Sequence, residues 1–221
     1  MKRIVLFVEG EGEAEAAPHL VSRIVTELNG WDSVIVDPSP FRVGHLSKLT
    51  RADYAEWRRK LLAALKRRDV GGILVLLDGD AETINGRPFC ARDCAIELSA
   101  RASEIGAGVS FSTACVFACQ EFESWFIGAA AGFDSLPDNR RLTLPASMPA
   151  NPELAPRDAK GWLRKTVSGG YRPTRDQLVF ARALNLKLLR QQKMRSFMRF
   201  ENAIQELIDA CRTGVHRVSP S

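Results

Sequence analysis

Three short, largely apolar runs constrain the fold more than any other feature of the chain. They are residues 3–8 (RIVLFV), 73–77 (ILVLL) and 109–119 (VSFSTACVFAC). The first two are continuous and apolar, so they read as buried strands rather than strands with a wet side, and the third reads as a further strand. The stretches between them carry the other period. Leu20, Ile24 and Leu28 set a helix over about 13–28, and Tyr54, Trp57, Leu61 and Leu65 set a second over 51–68. Residues 33–36 (SVIV) add a short strand ended by Asp37-Pro38, and further helices are predicted over 91–104 and 120–127. Buried strands alternating with helices through short links specify an α/β fold, a parallel-sheet core flanked by helices on both faces.

The alternation lapses over 132–156, where Pro137, Pro145, Pro149, Pro152 and Pro156 mark a loop-rich connector. Beyond it, helices are predicted over 157–165, 174–189 and 196–211, with Asp158 and Asp176 near the starts of the first two, where acids are favoured. Residues 214–221 read as a loose tail. The chain thus divides into an α/β core (1–131), a Pro-rich connector (132–156) and a basic helical C-terminal region (157–213). Charge follows the same division: residues 1–149 hold 17 Lys and Arg against 20 Asp and Glu, residues 150–221 hold 14 against 6. The basic part is either a solvated helical surface or one that binds a polyanion.

No run approaches the roughly 18 apolar residues of a membrane span. The apolar stretch after Met1-Lys2-Arg3 is only about six residues long, too short for a secretory signal. The odd count of five cysteines then points to reduced, buried thiols and a cytoplasmic protein. Cys90-x3-Cys94 and Cys115-x3-Cys119 lack the spacing of a zinc knuckle. His19, His45 and His216 have no motif partner and are expected in solvated or capping roles, and no G-x-S-x-G occurs to support a serine nucleophile. Trp125, Phe126, Phe133 and Trp162 are expected in the core.

In an open α/β sheet, ligands bind beyond the carboxyl ends of the strands. Acids stand at that edge after all three runs: Glu9 with Glu11, Glu13 and Glu15, then Asp78 and Asp80, then Glu121 and Glu123. Asp78 and Asp80 are two apart, so in extended chain they share a face at about 7 Å. The first turn, VEGEGEAEAA, has the strand–glycine–helix form that cradles phosphates, yet it matches neither G-x-G-x-x-G nor G-K-[ST]. Its glutamates would repel a bare phosphate. Carboxylates converging on one rim cannot all stay ionised without a cation, and Mg²⁺ is the natural complement of hard oxygen donors. Glu11 and Glu15 are expected as surface charges of a first helical turn. Glu9 taken alone is equally a plain strand-end acid, and Glu121 and Glu123 are equally helix-start acids.

V-E-G-x-x-E at residues 8–13, L-L-D-G-D at 76–80 and E-F-E-S-W at 121–125, in that order, resemble the Toprim domain. That domain occurs in topoisomerases, primases, overcoming-lysogenization-defect (OLD) nucleases and RloB-type proteins. The E-F-E-S-W segment, with Tyr171, Gln177 and Ser196-Phe197, is most similar to a small family of Toprim-like proteins often encoded beside an ATPase in bacterial defence loci. The resemblance covers residues 1–130 and, more weakly, the remainder. It implies Mg²⁺- or Mn²⁺-dependent nuclease chemistry on DNA or tRNA-like RNA, a defence role and an ATPase partner. Glu9 and Glu13 match the two glutamates of the nuclease-type variant, Asp78 and Asp80 the D-x-D, and these four form the implied catalytic set. Glu123 matches the later glutamate, with Glu121 and Glu82 as outer ligands. The lysine that nuclease members place near the site has no clear match, and Lys160 and Lys165 are candidates by charge. Lys160, Arg164, Lys165, Arg172 and Arg175 are the expected nucleic-acid contacts, with Arg157 and Arg182 alongside. Two other readings stand beside this one: a non-catalytic regulatory or interaction subunit of an ATPase-containing complex, and a flavodoxin-like phosphoacceptor domain.

Overall fold

The computed structural model describes residues 1–133 and 136–220; Asp134 and Ser135 of the connector and Ser221 of the tail lie outside the described residues. The first run forms β1 (Lys2–Val8), followed by α1 (Glu11–Glu27). Two short strands, β2 (Val34–Val36) and β3 (Phe41–Arg42), lie end to end along β1, pairing with its first and last residues respectively. The helix expected over 51–68 is shorter and has company. Here α2 (Leu46–Thr50) and a 3-10 turn precede α3 (Ala55–Ala64). Ala52, Asp53 and Tyr54 all adopt φ between 48° and 62°, left-handed values that no continuous helix accommodates. The second run is β4 (Val70–Asp78), which leads into a small hairpin of β5 (Thr83–Ile84) and β6 (Arg87–Pro88) turning on Asn85-Gly86, both at positive φ. Next come α4 (Ala91–Ser103), the third run as β7 (Ser112–Ala118), and α5 (Glu123–Gly128).

After the connector, α6 (Ala159–Thr166) begins at Asp158, whose side chain accepts from the Gly161 amide. The helix expected over 174–189 is two helices, α7 (Pro173–Ala183) and α8 (Leu186–Gln191), because Asn185 takes extended backbone and caps the second. The long α9 (Arg195–Thr213) closes the helical set. The expected loose tail instead supplies β8 (Val218–Ser219), which pairs with β7 and covers its outer edge.

The sheet runs β2-β1-β4-β7-β8 and every pairing in it is parallel. Alternate residues of each central strand enter two separate cores. Val5, Phe7, Ile73, Val75, Leu77 and Cys115 pack under α2, α3 and α4. Ile4, Leu6, Val8, Leu74, Leu76 and Val116 pack under α1 and the C-terminal helices. Both faces are dry, which is why the runs read as continuous rather than alternating. The core does not follow the division between 1–131 and 157–213: Phe180, Phe197, Phe200, Ile204 and Leu207 are buried in the same core as α1, with α9 lying on β4 and β7 and α7 on α1. All five cysteines are free, but Cys90 is exposed, because it sits at the amino end of α4 outside the core. Trp125, Phe126 and Phe133 are buried as expected, and Trp162 packs partly buried against that core.

Candidate active site

Parallel strands bring the carboxyl ends of β1, β4 and β7 side by side, with an acid at the last residue of β4, one residue past β1 and three past β7. Glu9 is the first residue past β1, half-buried, its carbonyl bound to the Gly44 amide at 3.0 Å. Burial first, then the charges of Asp78, Asp80 and Glu13, push its carboxyl up to about 7. Glu13, in the first turn of α1, is 7% exposed. Its Oε2 accepts from the Gly10 amide at 2.6 Å, one half of a capping box, and its Oε1 accepts from Gln177 at 3.0 Å.

Asp78 ends β4 and is buried. Its Oδ1 accepts from the Phe122 amide at 2.8 Å, tying the end of β4 to the loop after β7. Its Oδ2 lies 2.9 Å from Lys160 Nζ. The strand stops there, so Asp78 and Asp80 do not share an environment as an extended D-x-D would: Asp80 is exposed. Gly79 between them donates to the Ala118 carbonyl, and a Cβ at this position would stand 2.8 Å from that oxygen, so only glycine lets the two strand ends approach this closely.

Glu121 caps a helix, though not α5 as expected. Its Oε2 accepts from the Lys160 amide at 3.0 Å, in the first turn of α6, and its Oε1 meets Lys160 Nζ at 3.1 Å. Glu123 is wholly buried. Tyr171 Oη and Gln177 Nε2 both donate to its Oε1, at 2.9 and 2.8 Å. Its Oε2 has no hydrogen bond and lies 3.8 Å from Lys160 Nζ. Burial raises the carboxyls of Glu123 and Asp78, and the neighbouring acids add to it. For Lys160 burial acts the other way, but the surrounding carboxylates outweigh it and hold the ammonium charged.

Glu9, Glu13, Asp78, Glu121 and Glu123 therefore surround one neighbourhood, with Asp80 at its open side. Glu11 is exposed and pairs with Arg42 at 3.6 Å, and Glu15 and Glu82 are exposed. Arg164, Lys165, Arg172 and Arg175 are exposed on or beside α6 and α7, with Arg175 partnered to Asp176. Lys160 differs from them: it points into the acids. Motif reading assigned no role to Tyr171 or Gln177. Their only signal in the sequence was their place in the motif resemblance; the structure adds that Gly12 makes room for Gln177, since a Cβ there would stand 1.9 Å from Gln177 Oε1 and 2.8 Å from the Pro173 carbonyl. The second glycine of the opening turn is there to admit α7, not a phosphate. His45 caps α2 through Nδ1, as expected of an unpartnered histidine.

Among the described residues, no three His, Cys, Asp or Glu side chains converge tightly enough, as they stand, to share a metal ion. The cation inside the cluster is Lys160. The chemistry of the set nevertheless fits a hard divalent ion: the donors are all carboxylate oxygens, burial and then the neighbouring acids already raise Glu9, and the buried Glu123 Oε2 is without a hydrogen bond.

A family model described as a domain of unknown function (DUF4276) matches residues 8–205, a span that includes every residue of this site. No curated protein matches the chain. Of solved structures, the C-terminal region of the Burkholderia pseudomallei OLD protein is similar at 16% identity and a TM-score of 0.35, over 97% of this chain and 99% of that one.

Proposed function

The chain belongs to the DUF4276 family, and from its acidic site we propose that it is a metal-dependent nuclease of the Toprim type, cleaving phosphodiester bonds in DNA or structured RNA such as tRNA. One observation carries the reading: carboxylates from the ends of the adjacent parallel strands β4 and β7 meet around Lys160, and Glu9 past the neighbouring β1 feels the charges of Asp78 and Asp80, at the edge where α/β sheets bind ligands. Glu9, Asp78 and Asp80 would hold Mg²⁺ or Mn²⁺, with Glu13, Glu121 and Glu123 around them, and the ion when bound would activate water and neutralise charge on the scissile phosphate.

The chain's own groups supply the rest. Glu9, whose carboxyl is pushed up to about 7 by burial and then by the charges of Asp78, Asp80 and Glu13, is a group whose ionised form a divalent ion would favour, and Glu13 would ligate the ion or serve as general base. Lys160 brings an ammonium to the place a phosphate would enter, the part for which motif reading had only a charge to offer. The exposed Arg164, Lys165, Arg172 and Arg175 extend positive charge along α6 and α7 for backbone phosphates, an interaction that weakens as salt rises. The motif resemblance extends the proposal to an effector of a bacterial defence system, working in the cytoplasm with an ATPase partner.

A second reading rests on the same lysine. Lys160 already partners Asp78 and Glu121, as it would in a non-catalytic subunit whose acids are neutralised internally. Calorimetry with Mn²⁺ and Mg²⁺ on wild type and on the Asp78→Ala, Asp80→Ala double variant separates the two, followed by incubation with plasmid DNA and total tRNA. Binding and cleavage by wild type, both lost in the variant, are expected. Absence of binding to wild type would overturn the nuclease reading in favour of the internally neutralised subunit.

A further inference from the structure

Glu13 and Glu123 come from different motifs, at the ends of β1 and β7, yet one side chain joins them. The Gln177 amide nitrogen donates to Glu13 Oε1 at 3.0 Å and to Glu123 Oε1 at 2.8 Å. The Tyr171 hydroxyl donates to the same Glu123 oxygen at 2.9 Å. Gln177 and Glu123 are wholly buried, and Glu13 and Tyr171 nearly so. An amide nitrogen has two hydrogens, and here both are committed to carboxylates. The arrangement is costly as packing alone. Gln177 Oε1 and Glu123 Oε2 are buried without hydrogen-bond partners, and a buried acceptor left unmatched typically costs about 1–3 kcal/mol. An apolar side chain at 177 would dock α7 on α1 without that cost. What the polar choice achieves is orientation. With Oε1 of Glu123 held by two donors, Oε2 is the oxygen left facing Lys160 at 3.8 Å.

We propose that Gln177 and Tyr171 are positioning residues of the acidic site, locking Glu13 and Glu123 at a fixed separation and turning the free oxygen of Glu123 toward Lys160. The C-terminal helices then belong to the active centre and are more than a substrate-binding arm. This rests on the metal-dependent reading above. Neither residue need touch substrate; both act through the carboxylates they hold.

Two nearly isosteric changes test it. Gln177→Met keeps the volume and removes both donors. Tyr171→Phe keeps the ring, which packs edge-on to Phe180 at 5.5 Å between centroids, and removes one donor. Mn²⁺ affinity by calorimetry, kcat and KM on whichever of plasmid DNA or tRNA the wild type cleaves, and the melting temperature are measured together. Loss of a group that orients a metal ligand typically lowers metal affinity or activity about 10–100-fold. That loss is expected in Mn²⁺ affinity and kcat, larger for Gln177→Met, with KM for the nucleic acid unchanged. Variants that melt lower but keep wild-type Mn²⁺ affinity and kcat would reduce the pair to packing and overturn the proposal. If Gln177→Met fails to fold, Tyr171→Phe decides alone by the same criteria. Failure of the underlying reading shows in a different place: wild type itself would neither bind Mn²⁺ nor cleave, and positioning would fall with it.

Discussion

The ammonium of Lys160 lies 2.9 Å from Asp78, 3.1 Å from Glu121 and 3.8 Å from Glu123, and all three acids are buried. A buried carboxylate stripped of its counter-charge is expensive, because the Coulomb energy that offsets its lost hydration disappears while the desolvation remains. Lys160→Met should therefore destabilise the metal-free protein by about 2–4 kcal/mol, a little below the range for a fully buried pair since the lysine is 27% exposed. Urea denaturation in the presence of a chelator measures this. Added Mn²⁺ should then raise the melting temperature of Lys160→Met more than that of wild type, because the variant's carboxylates lack an internal cation. An unchanged urea midpoint would mean that the lysine does not balance the cluster. From sequence, Lys160 is one of several cations in a basic stretch, and nothing in its neighbours marks it out. Asp78 and Glu123 were legible because each directly follows a strand or its loop, and strand ends are readable from apolar runs.

The contact between α1 and α7 shows how one element admits another. Gly12 sits where α7 crosses, and a methyl group there would stand 1.9 Å from Gln177 Oε1 and 2.8 Å from the Pro173 carbonyl. The side chain could swing away, but the carbonyl belongs to backbone at the start of α7. Gly12→Ala should cost about 1–3 kcal/mol by overpacking, measurable as a lowered urea midpoint, and should loosen Gln177 from Glu13. Unchanged stability would show that α7 rides on α1 less tightly than these distances require. The helices themselves were largely legible, since amphipathic period and capping residues are local. Their breaks were less so. Positive φ at Ala52, Asp53 and Tyr54 removes the first turn of the helix that reads over 51–68, and no glycine or proline at those positions marks the break.

At the scale of the whole molecule, the C-terminal helices share a core with β1, β4 and β7. Phe197, Phe200, Ile204, Leu207 and Ile208 of α9 are each at most 1% exposed. Burial of side chains this size contributes about 1.5–3 kcal/mol each, so the five together match the roughly 5–15 kcal/mol net stability of a domain. A fragment of residues 1–156 should accordingly show no cooperative unfolding transition by circular dichroism, whereas the full chain should show a single one. A fragment that melts cooperatively would restore an independent N-terminal domain. The α/β class, the three central strands and the acids at their ends are readable from the chain, because strand burial and helix period are written in short local patterns. That the tail pairs as a strand with β7, that Lys160 stands among the acids, and that Gln177 bridges Glu13 to Glu123 emerges from the folded packing. Those pairings join residues far apart in the chain, and their partners are selected by the space that packing leaves, which no local pattern records.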